Sequence, residues 1–200
     1  MTKIKFCGMR RPEDIEAANE ILPDFIGFIL APKFWRYVSL DTVKNLASMA
    51  DPKIKRVGVF VDNPESDVLE ALKSGAVNMA QLHGGEDEEY IKKIQRAASK
   101  PVIKAFKITC AEDIKKASES PADLILLDAG TGTGERFDWS LIKNIGRDFI
   151  LAGGLNPENV REAVERFHPY AVDLSSGIET DKVKDPSKMR AVAEAVRQKH

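Results

Sequence analysis

The feature that most constrains the fold of this chain is an alternation. Eight short apolar runs rich in β-branched residues recur along it: Ile4 to Cys7, Phe25 to Leu30, Arg56 to Val61, Asn78 to His83, Val102 to Phe106, Leu124 to Asp128, Phe149 to Ala152 and Ala171 to Ser175. Segments with helical spacing lie between them, with starts at Arg11-Pro12-Glu13-Asp14, Ser39-Leu40-Asp41, Asn63-Pro64-Glu65, Gly85-Glu86-Asp87, Asn156-Pro157-Glu158 and Asp185-Pro186-Ser187. Proline suits a first turn because its missing N–H has no partner to lose there, and acidic residues complement the positive end of the helix dipole. Such alternation implies parallel strands joined by crossover helices. Eight units at near-even spacing favour closure into a (β/α)8 barrel, the TIM-barrel architecture, over an open doubly wound sheet, which needs a reversal of strand order. The chain is short for that barrel, so it reads as a single catalytic domain over residues 1–200 with short loops. The pattern is weakest after Asp128, where only Trp139 to Asn144 reads as a short helix.

An apolar share of 43% and a charged share of 30% fit a globular chain rather than a disordered one. The net charge of -1 gives no electrostatic case for a nucleic-acid or membrane partner, so any bound anion must be held locally. Met1 to Cys7 lacks the apolar stretch of a signal peptide, and no later run reaches membrane-span length, which predicts a cytoplasmic protein. Cys7 and Cys110 occur without CxxC pairing, which supports neither a disulfide framework nor a zinc site; no metal is expected.

In such a barrel the chemistry sits at the C-terminal ends of the strands and in the loops that follow. The rule nominates Cys7, the Ala31 to Arg36 loop, Asp62, His83, Phe106, Asp128, Gly153-Gly154 and Ser175-Ser176-Gly177. The last two loops follow strands seven and eight and end where a helix can begin. Small residues there let backbone N–H groups approach a phosphate, so Gly153, Gly154, Ser175, Ser176 and Gly177 form the expected phosphate site, against the alternative of two tight turns. Asp128 stands before Gly130, Gly132 and Gly134, which read as a loop folding over a substrate. Glu135 occupies the third glycine position of a dinucleotide fingerprint, and no nicotinamide site is expected. Asp128 could instead only cap that loop. A thiol such as Cys7 is by itself more often a small buried hydrophobe, and it acts as a base only if its surroundings lower its pKa or reaction traps the thiolate. Cys110 reads as structural. His83 divides evenly between a hydrogen-bonded rim residue and a substrate-lining one.

Taken together, Lys5-Phe6-Cys7-Gly8, Gly27-Phe28 with Pro32-Lys33 and Arg36-Tyr37-Val38-Ser39, Val57-Gly58-Val59-Phe60, Gln81-Leu82-His83-Gly84, Leu127-Asp128 with Gly132-Thr133-Gly134 and Phe137-Asp138-Trp139, Leu151-Ala152-Gly153-Gly154-Leu155, and Val172-Asp173-Leu174-Ser175-Ser176-Gly177-Ile178-Glu179 resemble phosphoribosylanthranilate isomerase over the whole chain. Two departures stand out. Phe34-Trp35 replaces the usual Ser-Pro before the arginine, and Thr180 to Asp185 lacks the family's proline and glycine, which reads as a change in a tail loop away from catalytic groups.

The resemblance implies an aldose-to-ketose isomerase of tryptophan biosynthesis. It would perform the Amadori rearrangement of N-(5-phosphoribosyl)anthranilate to the carboxyphenylamino-deoxyribulose phosphate, with Asp128 as general acid, Cys7 as general base and Arg36 against the substrate carboxylate. The substrate is then a phosphosugar, no cofactor is required, and monomer and homodimer remain open. A ribulose-phosphate epimerase would want rim histidines and a metal. The aminoaldose isomerase of histidine biosynthesis would want paired aspartates, and a catalytically silent barrel would have no use for Cys7, Arg36 and Asp128 together. Lys5 and Asp173, each two residues below the rim on strands that become neighbours on closure, should form an interior ion pair.

Overall fold

Each of the eight apolar runs forms a strand, within one or two residues of the bounds the pattern predicts. In the computed structural model, which describes residues 1–129, 138–143 and 145–198, these are β1 (Lys3–Cys7), β2 (Phe25–Ile29), β3 (Lys55–Phe60), β4 (Met79–Leu82), β5 (Val102–Lys107), β6 (Leu124–Asp128), β7 (Phe149–Leu151) and β8 (Ala171–Leu174). All are parallel to their neighbours, and β1 pairs with β8. The sheet therefore has no edges, which settles the choice between a closed barrel and an open sheet.

The crossovers are α1 (Pro12–Ile21), α2 (Leu40–Met49), α3 (Glu65–Lys73), α4 (Glu88–Ala98) and α5 (Ala111–Glu119), followed by α6 (Val160–Phe167) and α7 (Pro186–Arg197). Their starts follow the capping chemistry of the sequence. Ser39, Asp87 and Asp185 accept hydrogen bonds from backbone N–H groups of their first turns. Asp14 accepts from the N–H groups of Arg10 and Arg11 and from the Arg11 side chain. Between β6 and β7 the described helical structure is a single 3-10 turn at Trp139–Leu141, shorter than the helix expected through Asn144, which lies outside the described residues. Between β8 and α7 a two-stranded hairpin, β9 (Glu179–Thr180) with β10 (Val183–Lys184), replaces the plain tail loop.

Strand alternation divides the side chains between two cores. Ile4, Phe6, Ile26, Phe28, Phe60, Leu82, Ile125, Leu127, Val172 and Leu174 point outward and pack beneath the helices. Phe25, Val57, Met79, Ile103, Leu126, Ile150 and Ala171 fill the lower barrel interior. Toward the C-terminal ends the inward positions turn polar, and Lys5 and Asp173, direct register partners, meet there with Nζ 2.9 Å from Oδ2. Lys5 is fully buried. The expected interior pair is present. No helix among the described residues is long and apolar enough to cross a membrane.

Candidate active site

Where the strands end, the barrel opens into a cavity of about 410 Å³. Its wall includes Cys7, Arg36, His83, Asp128, Gly153, Gly154, Ser175 and Ser176, so eight of the nine predicted site residues converge on one space. Gly177 is the exception. It lies behind the wall, where a Cβ would collide with the Leu155 carbonyl, so glycine lets the β8 loop close against the β7 loop. The expectation that both loops lead into a helix holds less well. The β7 loop passes a turn before α6, whereas the β8 loop enters only a 3-10 turn at Ser176–Ile178.

Cys7 ends β1, buried beside the Lys5–Asp173 pair. Burial pushes the thiol up from its ordinary value. Lys5 and Lys184 pull it down and Asp173 pushes it up, and the net direction is upward. This corrects one route open to the sequence: the surroundings of Cys7 do not activate it by lowering its pKa. Ser175 Oγ donates to the Cys7 carbonyl at 3.1 Å and ties the β8 loop to the end of β1.

Asp128 ends β6, its Oδ2 3.2 Å from His83 Nε2, while His83 Nδ1 lies 3.0 Å from Gln81 Nε2. With the amide so placed its nitrogen donates to Nδ1, the tautomer that puts the ring proton on Nε2, toward Asp128. His83 is thus a hydrogen-bonded rim residue that also lines the cavity. Gly153 makes room for this arrangement: at φ +84 a Cβ would stand 2.6 Å from the Ala129 nitrogen and 2.8 Å from Asp128 Oδ1. The glycine loop expected to close over Asp128, residues 130–137, lies outside the described residues.

Arg36 reaches the cavity from the loop after β2, its guanidinium 4.1 Å from the Trp35 ring centroid. It already holds a carboxylate: Nε and Nη2 donate to the two oxygens of Glu179 at 2.9 and 2.8 Å. Lys184 donates to the same Glu179 at 2.8 Å and to the Ser175 carbonyl at 3.0 Å. Burial opposes ionisation of Glu179, but the hydrogen bonds from Arg36 and the charge of Lys184 outweigh it and hold the carboxyl below its usual range. Lys184 is depressed, because burial outweighs the same attraction. The hairpin thus delivers a buried ammonium close enough to act on Cys7, which corrects its reading as a loop remote from catalytic groups.

Two nominated rim residues do not face the cavity. Asp62 turns outward to accept from Gly85 N–H at 2.7 Å, and Phe106 points away while its neighbour Lys107 lines the wall. Strand alternation, counted from Ala105, could have found Lys107. Cys110 is the exposed N-cap of α5, remote from the cavity.

Comparisons with known proteins identify the family. A family model described as N-(5'phosphoribosyl)anthranilate (PRA) isomerase matches residues 4–195. An N-(5'-phosphoribosyl)anthranilate isomerase of Endomicrobium trichonymphae is 40% identical, over 94% of this chain and 95% of its own. Among solved structures, phosphoribosyl anthranilate isomerase from Thermus thermophilus superposes with a TM-score of 0.89 at 35% identity, covering 97% of this chain and 98% of its own. A phosphoribosyl anthranilate isomerase in complex with reduced 1-(o-carboxyphenylamino)-1-deoxyribulose 5-phosphate gives 0.87 at 34% identity, covering 98% and 99%. With a family model matching nearly its whole length and relatives of this identity and coverage, the chain belongs to the N-(5'-phosphoribosyl)anthranilate isomerase family.

Proposed function

We propose that the cavity isomerises N-(5'-phosphoribosyl)anthranilate with Asp128 as acid and Cys7 as base. The observation that carries the assignment is their meeting, from β6 and β1, in one cavity whose remaining wall suits the two anionic ends of that substrate. The phosphate belongs against Gly153, Gly154, Ser175 and Ser176, where small residues expose backbone N–H groups. The aryl carboxylate belongs against Arg36. Glu179 occupies the Nε and Nη2 edge of that guanidinium, and the end edge, one N–H of Nη1 and the second of Nη2, is able to bind a carboxylate in the plane.

Between these anchors the ribose ring opens when Asp128 gives a proton to the ring oxygen. The C1′–O bond breaks as the anilino nitrogen lone pair forms C=N. The Cys7 thiolate then takes the C2′ proton, and the electron pair of that C–H bond forms C1′=C2′ while the C=N pair returns to nitrogen. The enolamine tautomerises to the ketone. Each turnover leaves Asp128 one proton poorer and Cys7 one richer, so the starting form is thiolate with carboxylic acid. A Cys7 thiol raised by burial is in the form left after turnover. A proton must therefore pass from sulfur to carboxyl before each cycle, which is the second of the two routes, reaction trapping the thiolate.

Purified protein mixed with freshly prepared N-(5'-phosphoribosyl)anthranilate should convert it to the ketose, followed chromatographically. No conversion at micromolar enzyme would leave a silent phosphate-binding barrel. The thiol is checked separately. In a Cys110→Ser protein, ultraviolet titration of the thiolate should place Cys7 above the ordinary 9.0; ionisation near neutrality would overturn the proton transfer just described.

Arg36→Ala should weaken binding of the carboxylated product analogue by about 2–5 kcal/mol, the usual cost of truncating one partner of a buried charge pair. Arg36→Lys should recover little, because an ammonium cannot serve two carboxylates in plane. Loss of Arg36 also disturbs Glu179, so titration is needed with and without the ring carboxylate on the ligand. Equal discrimination by wild type and variant would assign the carboxylate to another residue.

A further inference from the structure

Gln81 is buried in the barrel wall beside His83, and the chemistry above gives it no part. Its Nε2 serves His83 Nδ1, while its Oε1 is buried and has no hydrogen-bond partner among the described residues. A buried acceptor left empty is costly and calls for an explanation. The amide has a second position, since half a turn exchanges its oxygen and nitrogen with little other movement.

In the position present, Nδ1 accepts and Nε2–H points at Asp128, an arrangement that suits a carboxylate. In the turned position Oε1 accepts a proton held on Nδ1, and the Nε2 lone pair faces Asp128, an arrangement that suits a carboxylic acid donating its O–H to the ring. The two differ by one proton on the His83–Asp128 couple, the proton that acid catalysis needs. We propose that Gln81 is a positioning residue for the acid step, a two-position amide whose Oε1 is held ready for Nδ1–H and so lets Asp128 be loaded as an acid. The proposal rests on Asp128 being the general acid.

Other charges face the couple. Lys107 lies beside Asp128 in the β5–β6 register, and Cys7, Asp173 and Arg36 line the same cavity. Asp62 binds Gly85 N–H, and Lys104 with Glu86 holds the loop after His83 from behind, through the Gly84 carbonyl and N–H. These charges are common to wild type and Gln81→Met, so that comparison isolates the amide.

The test is ring ¹⁵N NMR of His83, assigned with a His83→Asn control, followed through pH in wild type, Gln81→Met and Gln81→Glu, alongside steady-state kinetics. Methionine fills the space but offers no strong acceptor; glutamate offers a permanent one. In wild type the ring proton should move from Nε2 to Nδ1 as the couple takes up its proton; in Gln81→Met, with no acceptor for Nδ1–H, it should stay on Nε2, and in Gln81→Glu uptake should move to higher pH. Turnover in Gln81→Met should fall by about 10-fold, the scale of one lost hydrogen bond, with KM nearly unchanged. Gln81→Glu should retain more turnover than Gln81→Met, the reverse of what packing alone would give, since burying a charge is worse for a core than burying a thioether. Midpoints that coincide in all three proteins, or a Gln81→Met enzyme as fast as wild type, would overturn the proposal. If Gln81→Met does not fold, Gln81→Leu, which likewise offers no acceptor and adds no charge, takes its place. Asp128→Asn separates the two levels: an active Asp128→Asn enzyme removes the acid assignment itself, whereas an inactive one with an unperturbed Gln81→Met removes only the switch.

Discussion

Cys7→Ala and Asp128→Ala should each lower turnover by about 100- to 10,000-fold, the range that general acid–base groups contribute. Binding of the reduced product analogue should stay close to wild type, because both groups act on protons that move only in the transition state, whereas the anchors at Arg36 and the phosphate loops act in every bound state. The two substitutions should also differ in what they block. Without Asp128 the ring does not open. Without Cys7 the ring can open but C2′ keeps its proton, so exchange of the C2′ hydrogen with solvent should be lost while the substrate still reaches the Schiff base. The measurement is kcat and analogue affinity for each variant, with solvent-deuterium incorporation at C2′. A variant of either residue that keeps half the wild-type rate loses its place in the mechanism. A large loss of analogue affinity in Cys7→Ala would mean instead that the thiol is packing, the ordinary role of a buried cysteine.

The barrel was legible in the chain because two periodicities alternate along it, with one weak stretch after Asp128, and strand ends could be placed to within a residue or two. The polar rim followed from architecture alone, since the C-terminal ends of the strands are where this fold exposes side chains. Less legible were properties that depend on what packs around a residue. Cys7 reads the same in sequence whether its thiol is raised or lowered, and only its burial beside Lys5, Asp173 and Lys184 shows which influence wins. Glu179 and Lys184 lie beyond the last strand of the barrel, in a segment whose departure from the family pattern looked peripheral, yet a tight hairpin turns both back toward β1. Gln81 sits in a quoted motif without a chemical role because amides do not titrate, and its relevance appears only through its distance to His83. The 130–137 segment, expected to close over Asp128, lies outside the described residues.

Asp173→Ala should destabilise the protein by about 3–5 kcal/mol, the cost of leaving a buried charge without its partner. The reason lies in Lys5, which is fully buried, with its Nζ 2.9 Å from Asp173 Oδ2 and no water to fall back on. Burial works to lower the Lys5 pKa, but the charges of Asp173 and Cys7 more than offset it, so that the ammonium is held above its ordinary 10.5. A raised lysine contributes stability that is complete below the unfolded value and lost as pH climbs through the folded one. The pair's contribution should therefore be constant through neutral pH and fade only above 10.5. For a domain of this size the loss corresponds to a fall in Tm of about 6–20 °C. Lys92→Ala, which breaks an exposed helical pair with Glu88, should cost no more than about 0.5 kcal/mol. Replacing both interior partners, as in Lys5→Met with Asp173→Leu, should recover much of the loss, because an apolar pair of similar volume needs no compensating charge. Denaturant titrations of the three variants check this. A single Asp173→Ala no less stable than Lys92→Ala would mean that water or a rearranged neighbour takes the place of the carboxylate, and that the pair does not hold the first and last strands together.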